Sequence, residues 1–253
     1  MSAFGSPSAG SSAAMSDSVA AQLAQLNAVF YADFAQMFAA SRSPQQRGWQ
    51  RLLPWLPAAA PWLDIGCGQG RWLEFLRQQG QMQAYVGVDS SAALLALAEP
   101  LTRGLAPAWF VQADLLAADW PQHLSGADFP AITALAVLHH IPSWQRRQML
   151  LQQLAGLLAP DGVLALSTWQ FLNEARLRRK VMPWRTVGLE ADQVEAGDYL
   201  LDWQRGGVGL RYCHLVDADE IIALAHGAGL QVQTLFYDDG RDNALNLFAV
   251  LRH

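Results

Sequence analysis

The run Trp62-Leu63-Asp64-Ile65-Gly66-Cys67-Gly68-Gln69-Gly70 constrains this chain more than any other stretch. An apolar strand enters a turn with glycine at every second position, and a helix-period pattern follows from Arg71. Glycine lets the backbone take positive φ and lets a ligand approach it, while the first turn of a helix leaves N–H groups unpaired. Strand–turn–helix units of this kind belong to parallel α/β sheets, which bind ligands at the carboxyl ends of their strands. The turn is not a dinucleotide fingerprint, because the third glycine of that pattern falls where Arg71 stands. No Gly-Lys-Ser/Thr follows, which excludes a triphosphate loop. Asp64, two residues before the first glycine, would repel a pyrophosphate and suits a ligand with a positive end.

The flanking sequence agrees with such a sheet. Short apolar runs predict strands at Trp62–Ile65, Ala84–Val88, Trp109–Val111, Ile132–Val137 and Val163–Ser167. Helical periodicity separates them at Arg71–Gln79, Ala92–Leu97, Trp120–Leu124 and Trp144–Leu158. Strand–helix alternation implies βαβ crossovers. A helix over Asp217–Ala228 then leads to two strand-like runs, Leu230–Tyr237 and Leu245–Leu251, joined at Asp238-Asp239-Gly240 as an antiparallel hairpin. Before the glycine turn, Val19, Leu23, Leu26, Phe30, Phe34 and Met37 recur at helical spacing, and a second helix is expected over Pro44–Leu53. Three regions result: a disordered Ser/Ala/Gly-rich tail over 1–18, N-terminal helices over 19–60, and an α/β domain over 61–253. The segment Phe171–Gly209 shows no clear strand and switches from basic to acidic, as an insertion or lid would.

Composition removes several function classes. Two cysteines, Cys67 and Cys213, make neither a disulfide framework nor a zinc-ligand pair, so no metal is expected. A net charge of −5 gives no positive field for DNA. The first basic residue is Arg42, which argues against a secretory or transit signal, and no apolar run is long enough to span a membrane. The expected location is cytoplasmic, with no membrane partner.

Two further acids follow predicted strands. Asp89 ends Val86-Gly87-Val88-Asp89, 19 residues past Gly70, where a carboxylate can accept both hydroxyls of a ribose. Asp114 ends Val111-Gln112-Ala113-Asp114, where it can accept from an adenine amino group. The set Asp64…Gly66-x-Gly68-x-Gly70, Asp89 and Asp114 resembles the class I S-adenosylmethionine-dependent methyltransferases. So does Pro160-Asp161-Gly162 as a turn before the fifth strand. The resemblance implies a Rossmann-like, doubly wound, seven-stranded and mostly parallel sheet with an antiparallel C-terminal strand, and S-adenosyl-L-methionine as cofactor. It also implies that Asp64 and the glycine backbone hold the methionine end, Asp89 the ribose and Asp114 the adenine. Cys67, Ser90, Leu115 and Ala136 would complete the cofactor's surroundings, and N-terminal helices carrying Tyr31 and Arg42 would close over it.

Narrower similarities concern the acceptor. Ala136-Val137-Leu138-His139-His140-Ile141-Pro142-Ser143, Leu210-Arg211-Tyr212-Cys213-His214-Leu215 and Phe30-Tyr31…Phe34…Phe38…Ser41-Arg42 resemble the tRNA wobble-uridine carboxymethyl methyltransferases. An acceptor carboxylate needs little acid–base help but does need a cation, for which Arg211 is the first candidate. His139 and His140 follow the fourth strand, and one of them, His139 first, is a candidate to orient or deprotonate an acceptor, as is His214, against the alternative that they are packing or turn residues. The Arg176–Arg185 cluster suits RNA phosphates or, alternatively, a solvated face paired with the acids after it. The expected activity is methyl transfer to an oxygen or nitrogen of a tRNA or small-molecule acceptor, with room for an accessory subunit. A non-catalytic cofactor-binding module is the rival expectation. An NAD-dependent oxidoreductase is disfavoured by Arg71 and Asp64.

Overall fold

The computed structural model describes residues 15–42, 46–59, 61–81, 84–103, 107–124, 126 and 128–253. In chain order, α1 (Asp17–Ala40) and α2 (Arg47–Leu52) precede β1 (Trp62–Ile65), α3 (Arg71–Gln78), β2 (Tyr85–Asp89), α4 (Ala92–Ala98) and β3 (Ala108–Gln112). Next come β4 (Phe129–Leu135), α5 (Trp144–Leu157), β5 (Leu158–Trp169), α6 (Ala175–Arg178), β6 (Val181–Met182) and β7 (Asp198–Trp203). The chain closes with β8 (Gly209–His214), α7 (Ala218–Gly227), β9 (Gln231–Asp238) and β10 (Asn246–Arg252).

Seven strands form the main sheet in the order β3-β2-β1-β4-β5-β10-β9. Strands β1 to β5 pair in parallel, and β10 runs antiparallel to both its neighbours. From β1 the chain winds outward through β2 to β3, then returns to the other side of β1 with β4. The sheet's winding thus reverses between β1 and β4, which opens a crevice at their carboxyl ends.

Strand alternation divides the core in two. Leu63, Ile65, Val86, Val88 and Ile132 pack with α5 and α7, while Trp62, Tyr85 and Ala131 pack with α2 and α3. Burial on both faces is why these strands read as continuous apolar runs.

Several expectations need correction. Residues 1–14 of the expected tail lie outside the described residues. Met15, however, is buried, and Ser16 caps α1 by accepting from the Val19 N–H, so 15–18 belong to the fold. The second helix starts at Arg47, and residues 43–45 lie outside the description. The strand expected to include Val137 ends at Leu135, where Ala136 takes φ +63°. Pro160-Asp161-Gly162 does not precede β5 but forms an irregularity within it. Pairing jumps there from Leu158 opposite Phe129 to Val163 opposite Ala131. The segment 171–209 is not strandless. It holds β6 and β7, which with β8 form a second antiparallel sheet in the order β6-β7-β8. Short strands of mixed polarity had hidden behind the charge switch.

Candidate active site

A cavity of about 700 Å³ lies over the carboxyl ends of β1, β2 and β4. Its floor is the glycine turn. Gly68 has φ +54°, and a side chain there would meet nothing closer than 3.9 Å, so its backbone lies open to a ligand. Gly70 serves packing instead. It has φ +78°, and a Cβ on it would come within 2.8 Å of Leu101, so it seats the start of α3 and does not line the cavity. Helix α1 roofs the space with Ala21, Ala24, Ala28 and Tyr31.

The three acids are placed differently from one another. Asp64 is buried within β1, its carboxylate accepting from the Tyr85 hydroxyl at 2.5 Å and the Thr133 hydroxyl at 2.6 Å. Burial pushes its pKa up to about 7, against the pull of those two bonds. Among the described residues no cation lies within ion-pair distance of it. Asp89 accepts from the Gly68 and Ser91 N–H groups, both at 2.8 Å, which ties the end of β2 to the glycine turn. Burial raises its pKa too. Asp114 is exposed at the mouth and accepts from the Leu116 N–H at 3.0 Å. All three line the cavity, as do Tyr31, Arg42, Gly66, Cys67, Gly68, Ser90, Leu115, Ala136 and His139.

An aromatic and basic corner forms beside this floor. The Ala136 N–H donates to both the carbonyl and the hydroxyl of Ser167 at 3.0 Å, which holds an otherwise disfavoured left-handed residue. Such backbone costs about 1–2 kcal/mol in an L-residue. The following turn presents His139 and His140. The His140 Nδ1 lies 3.3 Å from the Tyr212 carbonyl and its Nε2 lies 2.9 Å from the Tyr31 hydroxyl. Burial, then Arg211, lowers the His140 pKa to about 3. Arg42 stacks on Phe38 at 4.2 Å, and burial together with Arg211 brings its pKa down to about 10.

Two expected catalytic residues fall outside the cavity wall. Arg211 is buried one layer behind, packed among Phe30, Phe38, Trp169 and Trp203 with its guanidinium carbon 5.0–6.0 Å from their ring centroids. Its Nε and Nη1 have no hydrogen-bond partner among the described residues. His214 is further away and fully engaged, bonded to Asp198 at 2.6 Å and Glu220 at 2.8 Å. Arg147 joins this cluster through Glu195 and Glu220 at 2.8 and 2.6 Å. The donor atoms of Glu195, Asp198 and His214 lie within 4.8 Å of one another, but Arg147 already supplies the cation. His214 therefore clasps the smaller sheet to α7 and is not among the residues that line the cavity.

Sequence reasoning missed three participants. Asn27 of α1 donates to the Tyr212 and His140 carbonyls and accepts from the Tyr212 N–H at 2.9 Å, which seats the roof on β8. Its signal was a polar residue between Leu23 and Phe30 on an apolar stripe. Thr133 and Tyr85 were visible only as polar groups in apolar strands.

A putative methyltransferase of Encephalitozoon cuniculi is 29% identical over 189 residues, covering 75% of this chain and 76% of its own. The trans-aconitate 2-methyltransferase of Deinococcus radiodurans is 36% identical over 134 residues, which is 53% of this chain and 47% of that protein. A probable tRNA methyltransferase 9B of Homo sapiens is 28% identical over 146 residues, 55% of this chain and 29% of that one. The match thus spans about half of the former and under a third of the latter. An S-adenosylmethionine-dependent methyltransferase structure from Clostridium acetobutylicum superposes with a TM-score of 0.60 at 14% identity, covering 88% of this chain and 97% of that one; this shows the shared fold. Among the described residues no helix is long and apolar enough to cross a membrane. Residues 35–235 match the methyltransferase domain family, and the chain belongs to it.

Proposed function

We propose that the cavity binds S-adenosyl-L-methionine and that the chain transfers its methyl group to a small acceptor bearing an oxygen nucleophile. The observation that carries this is the convergence of Asp64, Asp89 and Asp114 with an open glycine backbone on one cavity beneath α1. The residues fit the group. Asp64 is a buried carboxylate whose hydrogen-bond partners among the described residues are hydroxyls, suited to an ammonium; Asp89 keeps lone pairs free for ribose hydroxyls; Asp114 is an exposed carboxylate lining the same cavity, suited to accept from an adenine amino group. When bound, the sulfonium supplies the electrophilic methyl. The chain's own part is to fix donor and acceptor in line and to exclude water, where positioning alone supplies about 7–11 kcal/mol of barrier reduction.

A small acceptor is favoured over tRNA by the basic run at 176–185. Arg176 pairs with Glu174, Arg178 donates to the Leu172 carbonyl and Lys180 pairs with Asp202, so three of its members already have partners. The tRNA wobble-uridine carboxymethyl group is the second reading, supported by the tRNA methyltransferase 9B similarity. An accessory subunit belongs to that second reading. Transfer of labelled methyl in a cell extract, with and without ribonuclease, separates the two: survival of activity supports the small acceptor. Calorimetry tests the cofactor. Asp89→Ala should weaken S-adenosylhomocysteine binding by about a hundredfold or more, since each charge-assisted bond contributes about 1.5–3 kcal/mol. Equal binding by the variant, or preference for NAD, would refute the assignment.

A further inference from the structure

The hydrogen bonds of the aromatic corner fix which histidine nitrogens carry protons. The Trp169 N–H lies 3.3 Å from the His139 Nδ1 and can only donate to it, so Nδ1 is an acceptor and the neutral ring carries its proton on Nε2. The nitrogen that His139 has left for a ligand is therefore an N–H. His140 has the opposite tautomer. The Tyr212 carbonyl can only accept, so Nδ1 donates to it, and Nε2 accepts a hydrogen bond from the Tyr31 hydroxyl. Burial holds His139 well below the usual histidine pKa, and the surrounding His140, Arg211, Arg42 and His214 add to that.

Among the described residues lining the cavity, the three carboxylates are the ones assigned above to the cofactor: Asp64 also accepts from two hydroxyls and Asp89 from two backbone N–H groups, while Asp114 is exposed. Burial pushes the Cys67 thiol well above its ordinary pKa, and it raises the Tyr31 phenol as well. The corner has cations in excess: Arg42 and Arg211 flank the Phe38 ring, and neither has a carboxylate ion pair among the described residues.

We infer that His139 is a positioning residue that donates from Nε2 to the acceptor oxygen, and that the acceptor enters as an oxyanion of the carboxylate class. This rests on the methyltransferase reading above and narrows its substrate. The carboxylate oxygen attacks the methyl carbon, the carbon–sulfur bond breaks, and its electron pair stays on sulfur. The products are a methyl ester and a neutral thioether, and no proton changes hands. A hydroxyl acceptor would have to lose its proton, and among the described residues of this corner no histidine nitrogen is left to take it.

Ring-nitrogen NMR of the ¹⁵N-labelled full chain tests the tautomers without any acceptor. The expected spectrum has His139 protonated on Nε2 and His140 on Nδ1, neither titrating between pH 5.5 and 8.5. Titration of either ring in that range, or a proton on the His139 Nδ1, overturns the inference. The second experiment uses labelled donor and a cell extract as the source of acceptor. His139→Ala should lower the rate at limiting extract by about 10–100-fold, whereas His139→Gln, which keeps an N–H near the Nε2 position, should recover to within about threefold. Both variants should bind S-adenosylhomocysteine as the parent does, and the transferred label should be released by mild alkali as an ester. Alkali-stable label overturns the acceptor class. A Gln variant as inactive as Ala, with a parent rate that falls tenfold per pH unit on acidification at saturating donor, shows a base instead. An extract that accepts no label sinks the methyltransferase reading itself, and the ring-nitrogen spectrum stands apart from that result.

Discussion

Removing the Tyr85 hydroxyl should shift the pH dependence of donor binding without abolishing it. Asp64 has a pKa of about 7, raised first by burial and held from rising further by the Thr133 and Tyr85 hydroxyls. Its charge is present only above that value, so binding of an ammonium-bearing ligand must strengthen as pH rises to about 7. About half the carboxylates are ionised at pH 7 and roughly one in eleven at pH 6. A hydrogen bond to a charged group contributes about 1.5–3 kcal/mol, and about 1.4 kcal/mol is one pKa unit. Tyr85→Phe should therefore raise the Asp64 pKa by about one unit or more. The variant should then bind S-adenosylhomocysteine roughly fivefold more weakly than the parent at pH 7, and only about twofold more weakly at pH 8. Calorimetry at pH 6, 7 and 8 reads this directly, below the range where the ligand's own amine loses its proton. A loss of affinity equal at every pH would refute the reasoning, as would tighter binding on acidification.

Two other outcomes follow from the packing around the cavity. Asn27→Leu leaves the Tyr212 N–H buried without its acceptor, a cost of about 1–3 kcal/mol, and should speed deuterium exchange along α1 while weakening donor binding. Unchanged exchange in α1 would show that the roof is held by apolar contacts alone. His214 has its pKa raised, with burial opposing and the bonds to Asp198 and Glu220 prevailing. A raised folded value means stabilisation that is complete below about pH 6.5 and lost as pH climbs through the folded pKa. The parent should accordingly lose more melting temperature between pH 6 and pH 9 than His214→Leu does, and the opposite ordering would contradict the clasp.

The main sheet was legible because its strands are buried on both faces and its turns carry glycine or acid at fixed offsets. Trp62–Ile65 was matched residue for residue, and Asp89 sits at the end of β2 as its spacing suggested. The smaller sheet was not legible. Strands β7 and β8 carry Asp198, Asp202 and Arg211, whose partners (His214 and Tyr212 across the strand pair, Lys180, and the rings of Phe30 and Phe38) appear only once the chain is folded, so charge in the sequence masked burial in the fold. Arg147 shows the same limit, with a side chain 1% exposed on a helix whose other polar residues face solvent or its surface. The cofactor floor could be read from local spacing, because a turn and two strand ends define it. The acceptor corner could not, since it joins α1, the turn after β4 and β8 across more than a hundred residues.

Strand β8 faces two opposed environments. Arg211 and Cys213 point toward the basic aromatic corner, while Tyr212 and His214 point toward Asp198, Glu195 and Glu220. Moving the strand along its partner by a single residue would exchange these faces. Arg211 would then enter the side where Arg147 and His214 already pair with the acids, and the bonds between Asn27 and Tyr212 would be lost. The 204–208 connection between the paired residues Trp203 and Gly209 also helps to fix the register. The loop joining β7 to β8 is accordingly constrained in length as a spacer and in composition at Gly206 and Gly207, whose positive φ and close approach to Met37 and Phe34 leave no room for a side chain.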